Sequence, residues 1–228
     1  MYIYSKQNAK IYSQLGVIGT TYEVYFNEVK KIFGYLTGKK VLDFGTGAGR
    51  SAQLIKTLGA KEVVGVDQNE EMIKLAKKIK DSSIKFNLIS KNIPYADNYF
   101  DHASCIAVLI EIGGKKEMLD TFLEIYRVLK PGGKLVITTT NPKSIGYDYV
   151  SYRYINKPNL KSGDKITCVV KGKKSFKIDD YFWEEKDYKE ALINAGFSIE
   201  KLSYPLGKGQ EWLDEIKIAP ELIITAVK

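Results

Sequence analysis

Three glycines at alternate positions form the segment of this chain best suited to bind a small molecule. Gly45, Gly47 and Gly49 follow a short apolar run, 40–44, that predicts a buried strand, and they precede a predicted helix, 50–58. Glycine lets the backbone approach a ligand closely, and the first turn of a helix presents free N–H groups. A strand, a glycine loop and a helix in this order therefore predict a cofactor site.

Two acidic residues narrow the choice of cofactor. Asp67 follows a second predicted strand, 62–66, where a carboxylate can accept hydrogen bonds from the two hydroxyls of a ribose. Asp43 lies two residues before the first glycine, and the glycine spacing is G-x-G-x-G rather than the G-x-G-x-x-G of dinucleotide sites. A carboxylate beside the loop repels a pyrophosphate but suits an ammonium group. The pattern therefore favours a nucleoside-like cofactor that carries an ammonium group.

The predicted elements that position these residues alternate between strands and helices, which is typical of a parallel sheet covered by helices. Residues 1–20 show no clear period and predict an arm. Beyond residue 140 the rhythm breaks, and 166–170 with 175–178 predicts a hairpin. Helices are predicted at 22–36, 50–58, 72–79, 116–129 and 186–195, and strands at 40–44, 62–66, 84–88, 101–107, 134–140, 198–203 and 221–227.

We expect these elements to form a single domain over residues 1–228. Residues 37–140 and 179–228 would form a cofactor-binding core. Residues 1–36 would form an amino-terminal arm and helix that could act as a lid, and 141–178 an insertion that caps the substrate side.

Several segments together resemble the class I S-adenosylmethionine-dependent methyltransferases of the small-molecule type. The segments are 41–49, 63–73, 92–101, 127–137, 183–197 and 220–228. The resemblance implies an α/β fold with a Rossmann-like, seven-stranded, mostly parallel sheet and an antiparallel last strand. It also implies helices on both faces of the sheet and a hairpin-containing insertion after the fifth strand.

The resemblance further implies S-adenosylmethionine as the cofactor and S-adenosylhomocysteine as its product. It places the glycine loop against the methionine part, Asp43 towards the ammonium group, directly or through water, and Asp67 at the ribose hydroxyls. Gln68 and Met72 would lie beside the adenine, and Ser90 or a backbone carbonyl would replace an acid that the family often has before the fourth strand. The implied cofactor residues are Asp43, Gly45, Thr46, Gly47, Gly49, Asp67, Gln68, Met72, Ser90, Asn92, Ile93 and Ala107.

Methyl transfer from a sulfonium places few demands on catalytic groups. The electrophile is already activated, so alignment and the exclusion of water supply much of the rate. A general base is needed only where the nucleophile must lose a proton, and Glu111 and Tyr22 are the candidates. We expect His102 and Cys105 to be structural, and one histidine with two distant cysteines predicts no metal site.

The aromatic residues indicate a small-molecule acceptor. The signature of amino-group methylation on DNA bases is absent after the fourth strand. The candidate substrate-side residues, which could wall a pocket, are Tyr12, Tyr25, Tyr147, Tyr152 and Trp183. We therefore predict transfer to an O or N atom of a small molecule. The alternatives are an RNA or protein methyltransferase that docks through the basic hairpin 157–177, and a non-catalytic protein that binds S-adenosylmethionine.

Composition limits the possible partners and compartment. The formal net charge of +8 comes almost entirely from lysine, whereas nucleic-acid sites usually also use arginine, so a nucleic-acid partner is disfavoured but stays open. No apolar run is long enough to span a membrane, and the start lacks the apolar region of a signal peptide. Two cysteines predict no disulfide framework. We expect a cytoplasmic protein with no membrane partner, and its oligomeric state is left open.

Overall fold

In the computed structural model, which describes residues 5–155, 157–172, 174–209 and 211–228, six helices and ten strands follow one another along the chain. They are α1 (Lys6–Ser13), α2 (Thr21–Phe33), β1 (Lys40–Phe44), α3 (Arg50–Thr57), β2 (Glu62–Asp67), α4 (Glu70–Ala76), β3 (Ile84–Leu88), β4 (Phe100–Ile106), α5 (Lys115–Val128), β5 (Leu129–Thr140), β6 (Tyr152–Tyr154), β7 (Lys165–Val170), β8 (Phe176–Tyr181), α6 (Glu185–Asn194), β9 (Ser198–Ser203) and β10 (Glu221–Val227).

Seven of the strands form one sheet, in the order β3-β2-β1-β4-β5-β10-β9. The pairs from β3 to β5 are parallel, and β10 runs antiparallel to both of its neighbours. The predicted α/β fold with an antiparallel last strand is therefore confirmed. The chain leaves β1 in one direction and returns on its other side at β4, so a crevice for a ligand is expected at the carboxyl ends of these two strands.

Alternate residues of each strand supply two separate cores. Leu42 of β1 belongs to the core that includes Phe122 of α5, whereas its neighbour Val41 packs with Ile55 of α3. Because successive strand residues point to opposite faces, this alternation requires helices on both sides of the sheet. The helices hold the strands in register and thereby fix the relative positions of the loops at their carboxyl ends.

The insertion after β5 forms a small antiparallel sheet, in the order β6-β7-β8. Strands β7 and β8 pair as the predicted hairpin, and β6 adds a third strand that the sequence pattern did not indicate. The buried face of this sheet packs with Ala9 of α1 and Met72 of α4. The small sheet is thus joined to the cofactor half of the molecule through two helices.

The main departure from the sequence prediction lies at the amino terminus. Residues 6–13, where no helix was expected, form α1, and the Ser5 hydroxyl caps it by accepting the backbone N–H of Asn8 at 3.2 Å. Ala9 is fully buried. The helix is short and mostly polar, so its stability comes from tertiary packing rather than from an amphipathic period. Residues 1–4 of the predicted arm lie outside the described residues.

Another difference concerns β5. The predicted strand began at residue 134, after a proline and two glycines, but the strand begins at Leu129. Leu129 pairs with Phe100 of β4, and the register shifts before His102 pairs with Lys134. The glycine-containing segment therefore accommodates an irregularity inside the strand instead of separating it from α5.

Two adjacent residues of α5 offer a test of this packing. Phe122 is fully buried in the larger core, whereas Leu123 is 45% exposed. We expect Phe122→Ala to lower the free energy of unfolding by about 3–5 kcal/mol, because it leaves a cavity between α5 and the sheet. Leu123→Ala should lower it by about 1 kcal/mol or less. Urea denaturation of both variants measures the difference, and equal losses would contradict this orientation of α5.

Candidate functional site

The carboxylate of Asp43, at the end of β1, accepts three hydroxyl hydrogen bonds. Its Oδ2 accepts those of Thr46 and Ser51, both at 2.6 Å, and its Oδ1 accepts that of Ser104 at 2.7 Å. Burial raises the pKa of Asp43, and these three hydrogen bonds oppose the rise. Asp43 therefore ties the glycine loop, α3 and β4 together. Its predicted contact with an ammonium group is not direct in this arrangement, because the side chain is fully buried among these hydroxyls.

Glycine is required at the three positions of the loop for different structural reasons. A Cβ on Gly45 would lie 2.2 Å from Cγ2 of Val108, and one on Gly49 would lie 2.9 Å from Cζ of Phe86. A Cβ on Gly47 would have no heavy atom within 4 Å, so this glycine borders open space, and its φ of +55° also disfavours other residues. Gly45 and Gly47 line the crevice, whereas Gly49 is required for packing against β3.

Asp67 at the end of β2 faces the same crevice. Its Oδ2 accepts the N–H of Gly47 at 2.8 Å, and its Oδ1 accepts the N–H of Asn69 at 2.8 Å. The residue is 7% exposed, and burial raises the pKa of this carboxyl against the effect of its backbone hydrogen bonds. Each carboxylate oxygen can accept more than one hydrogen bond, so Asp67 can bind hydroxyl donors as well as orient the loop.

A cavity of about 260 Å³ lies at these strand ends, which we call the first cavity. It is bordered by the glycine loop, by the ends of β2 and β4, and by amino-terminal residues between Tyr12 and Val17. Of the predicted cofactor residues, those that line it are Gly45, Thr46, Gly47, Asp67, Met72 and Ala107. The structure therefore brings residues of the first two predicted motifs together around one space.

The other predicted cofactor residues do not border the first cavity. Gln68, Ser90 and Asn92 are exposed, and Ile93 is buried in the larger core, where its N–H donates to Glu124 Oε1 at 2.7 Å. Ile93 is therefore committed to packing. Contact between the three exposed residues and an adenine stays a prediction.

Arg50, at the start of α3, is a site residue that sequence reasoning missed. Its guanidinium donates to the carbonyl of Tyr12 at 2.8 Å and lies over the rings of Tyr12 and Tyr22, 4.9 and 4.4 Å from their centroids. Arg50 thus fixes α1 and α2 against the glycine loop. The only sequence feature that indicated a role for Arg50 in the site was its position directly after the last glycine. Nothing in the local sequence indicated its aromatic partners.

A second cavity adjoins the first, and four residues line both: Tyr12, Tyr25, Ala107 and Glu111. Its other walls include Tyr22 of α2, Tyr152 and Tyr154 of β6, Asp180 of β8 and Glu221 of β10. The predicted substrate-side tyrosines 12, 25 and 152 therefore meet at one place, together with the catalytic candidates Glu111 and Tyr22. Ala107 lies where the two cavities join and has a positive φ of 55°.

Two predicted substrate-side residues lie elsewhere. Trp183 packs in the larger core, and its Nε1 donates to the carbonyl of Ile112 at 2.9 Å, so its polar group is already satisfied. Tyr147 is 39% exposed and lines neither cavity. Neither residue therefore lines the two cavities, because aromatic composition does not reveal which side chains face a given cavity.

Asp180 and Glu221 are the acids of the second cavity that the sequence did not reveal. Both are buried, and burial raises the pKa of Asp180 to about 7 and that of Glu221 to about 8. Tyr22 is also buried, and its pKa is raised well above the usual value near 10. A phenol of this kind keeps its proton at neutral pH, which disfavours Tyr22 as a general base.

The histidine and the cysteines have positions that fit structural roles. His102 accepts the N–H of Lys134 at 3.2 Å through Nδ1, and burial lowers its pKa. Cys105 and Cys168 are buried, and burial raises the pKa of both thiols. Within the described ranges, no group of three or more His, Cys, Asp or Glu side chains could hold a metal ion. Among the described helices, none has the length and apolar character to cross a membrane.

Acids within and beside the basic hairpin pair with part of its charge. Lys171 contacts Asp148 at 2.5 Å, and Lys157 lies 3.7 Å from Asp164. Lys173, which was counted in the predicted docking surface, lies outside the described residues. These ion pairs reduce the charge available for an RNA phosphate backbone.

The raised pKa values predict a pH-dependent stability. A carboxyl whose pKa is higher in the folded than in the unfolded state binds more protons when folded, so stability falls as pH rises. The free energy of unfolding should fall between about pH 4 and pH 7 through Asp180, and between about pH 4 and pH 8 through Glu221. The fall is at most about 1.4 kcal/mol per pH unit for each group. Denaturation at pH 5 and pH 8 measures it.

The variants Asp180→Asn and Glu221→Gln should each reduce this pH dependence, because a carboxamide does not titrate. Asp120→Asn is the control, since the side chain of Asp120 is 55% exposed on α5. His102 contributes to the pH dependence of stability with the opposite sign, because its pKa is lowered, and this contribution is the same in the wild type and the three variants. A pH dependence unchanged by either substitution at Asp180 or Glu221 would contradict the raised pKa values.

Comparisons with known proteins identify the family of this chain. Residues 42–137 match the model of a methyltransferase domain family. The demethylmenaquinone methyltransferase of Oceanobacillus iheyensis is 30% identical over 192 residues, which cover 75% of this chain and 74% of that protein. The N-demethylindolmycin N-methyltransferase of Streptomyces griseus is 28% identical over 177 residues, 72% of this chain and 73% of that protein.

A solved structure shows the same fold. The S-adenosylmethionine-dependent methyltransferase from Mesorhizobium loti superposes with a TM-score of 0.69 at 18% identity, over 93% of this chain and 100% of that chain. The family match, the relatives and the fold confirm the resemblance that the motifs indicated. The chain belongs to the class I S-adenosylmethionine-dependent methyltransferases and is an enzyme whose cofactor is S-adenosylmethionine.

Proposed function

We propose that this enzyme transfers the methyl group to a nitrogen or oxygen atom of a small-molecule acceptor, which binds in the second cavity. The observation that carries the proposal is the position of that cavity, which shares Ala107 and Glu111 with the first cavity. Its aromatic walls are 1–6% exposed at Tyr22, Tyr25 and Tyr152. The second cavity holds only about 40 Å³, which excludes a nucleic-acid duplex or a folded protein, so a small-molecule acceptor would reach into it from the first cavity, with which it shares four wall residues.

The names of two relatives support a small-molecule acceptor. One is named for demethylmenaquinone and the other for N-demethylindolmycin, and each matches this chain over more than two thirds of its length. The substrates themselves do not transfer to this chain, because one fold and one cofactor serve many acceptors.

The residues of the first cavity suit the proposed cofactor. Asp67 has acceptor capacity left for ribose hydroxyls, and Gly47 leaves room for a ligand beside the loop. The start of α3 has no side-chain cap, so its first N–H groups and dipole favour a carboxylate. We place Met72 beside the adenine, since it lines the same cavity. When bound, S-adenosylmethionine supplies a methyl group on sulfur, and the C–S bond electrons stay with the sulfur as the acceptor takes the methyl.

The amino-terminal residues 5–36 would act as a lid. Tyr12 borders both cavities, and Arg50 holds its carbonyl at 2.8 Å. A cover of this kind would exclude water from the methyl group and align the acceptor, which supplies much of the rate in such a displacement.

Glu111 would remove a proton from acceptors that must lose one. It follows β4 in a short 3₁₀ turn, Leu109–Glu111, and borders both cavities. A carboxylate at this junction lies where the methyl group and the acceptor atom would meet, whereas Tyr22 would serve as a wall or hydrogen-bond donor.

The role of Asp67 can be tested by binding. Asp67→Ala should weaken binding of S-adenosylhomocysteine about 100-fold, because two hydrogen bonds to a charged acceptor are lost. Asp120→Ala is the control, since the side chain of Asp120 is 55% exposed on α5. Calorimetric titration compares the two variants with the wild type. Equal affinities in all three proteins would remove Asp67 from the cofactor site.

The acceptor class can be tested by turnover. We expect incubation with S-adenosylmethionine and separate panels of phenols, amines, RNA and protein to methylate members of the small-molecule panels. Mass spectrometry detects the added methyl group, and NMR assigns the methylated atom. Methylation confined to RNA or protein would overturn the proposal.

The acceptor found in this way also tests Glu111. Glu111→Gln should lower kcat about 100-fold for an acceptor that loses a proton, with unchanged affinity for S-adenosylhomocysteine. Glu117→Gln, at an exposed position of α5, should leave kcat unchanged. An unchanged kcat in Glu111→Gln would exclude it as the base.

A further inference from the structure

Each of two carboxyl groups in the second cavity has one oxygen that accepts a hydrogen bond and one oxygen that does not. Asp180 Oδ2 accepts the hydroxyl of Tyr154 at 2.9 Å, and Glu221 Oε1 accepts that of Tyr152 at 2.7 Å. The other oxygens, Asp180 Oδ1 and Glu221 Oε2, are buried and have no hydrogen-bond partner among the described residues. Buried polar atoms without partners are costly and uncommon, so each needs an explanation.

The position of Asp180 makes a purely structural explanation poor. It lies on β8 two residues after Ile178, so the two side chains share the buried face of the small sheet, while Asp179 between them is exposed. An apolar residue would pack on this face without any desolvation cost. Asp180 is 0% exposed and Glu221 is 4% exposed, so water does not solvate either carboxyl.

The walls of the cavity carry acidic and aromatic groups. The acids are Glu111, Asp180 and Glu221, and the tyrosines are Tyr12, Tyr22, Tyr25, Tyr152 and Tyr154. Among the described residues that line this cavity, none is lysine or arginine. Arg50 borders the first cavity instead, where it is engaged with the rings of Tyr12 and Tyr22.

We propose that the acceptor carries a protonated amine, which donates hydrogen bonds to the unpartnered oxygens of Asp180 and Glu221 within the tyrosine walls of the second cavity. This inference rests on the proposed function, because it assigns the acceptor to that cavity. An ammonium group supplies several N–H donors with positive charge, and tyrosine rings attract cations. An anionic acceptor would be repelled, and a neutral hydroxyl offers one donor without charge.

The charges around the site agree with a cationic ligand. Among the residues that the structure describes, the titratable groups that line this cavity or interact electrostatically with the two acids include no lysine or arginine. They include Glu111, Asp179, Cys168 and the tyrosines 12, 22, 25, 149, 152, 154 and 188. Without a ligand, Asp180 and Glu221 have pKa values of about 7 and about 8. A bound ammonium group favours their ionised forms, so it replaces a proton with a hydrogen-bonded cation.

Three probes of similar shape and different charge test the inference: phenethylamine, phenethyl alcohol and hydrocinnamate. Each is titrated calorimetrically into the full chain saturated with S-adenosylhomocysteine. We expect phenethylamine to bind at least about 10-fold more tightly than the alcohol, because its hydrogen bonds are charge-assisted, and hydrocinnamate to bind most weakly. Equal or weaker binding of the amine, including no binding, overturns the inference.

Substitutions at Asp180 and Glu221 test whether these two residues cause the preference for the amine. Asp180→Asn and Glu221→Gln should each lower affinity for phenethylamine about 10-fold and leave that for the alcohol unchanged. Asp120→Asn, on the exposed face of α5, should change neither affinity. Unchanged affinity for S-adenosylhomocysteine in each variant shows that the first cavity is intact. An amine preference that survives both substitutions at Asp180 and Glu221 overturns the assignment to these residues.

Failure of this inference can be told apart from failure of the proposed function. Methylation of neutral phenols without any amine preference would keep the small-molecule function and overturn the inference. Methylation confined to RNA or protein would overturn the function, whereas the probe titrations need no turnover and still decide whether the cavity binds a cation.

Discussion

The buried carboxylate of Asp43 is the interaction on which the cofactor site depends. Its two oxygens accept hydroxyls from the glycine loop, from the first turn of α3 and from β4. Three hydroxyl partners compensate for the burial of a charge, and they hold three elements at one end of the sheet. The loop can therefore expose Gly47 to a ligand while its neighbours stay fixed.

A second carboxylate extends this arrangement to the ligand. Asp67 orients the loop through the N–H of Gly47 and begins the turn into α4 through the N–H of Asn69. It uses backbone donors, so its remaining lone pairs are available on the cavity side. Asp43 thus holds the loop among three hydroxyls, whereas Asp67 holds it from the cavity side, where we propose that the cofactor binds.

The second cavity is assembled from residues that are distant in the chain. Arg50 joins α1 and α2 to the glycine loop, and the small sheet brings Tyr152 and Asp180 against them. Glu221 comes from β10, the antiparallel strand of the main sheet. The glycine loop belongs to the main sheet, whereas most walls of the second cavity, where we propose that the acceptor binds, come from the amino-terminal helices and the insertion. Substrate choice can therefore change without disturbing the cofactor loop.

The sequence by itself determined what short segments encode: the alternation of strands and helices, the glycine loop and Asp67. These follow from local periodicity, backbone freedom and the spacing of motifs. The antiparallel last strand was implied by the resemblance to the methyltransferase family and not by a local pattern. Only the tertiary structure decided that Arg50 binds the Tyr12 carbonyl, that Trp183 is a core residue, and that Asp180 and Glu221 share one cavity. The physical reason is that a buried polar group is defined by its partners, and these come from residues far apart in the chain.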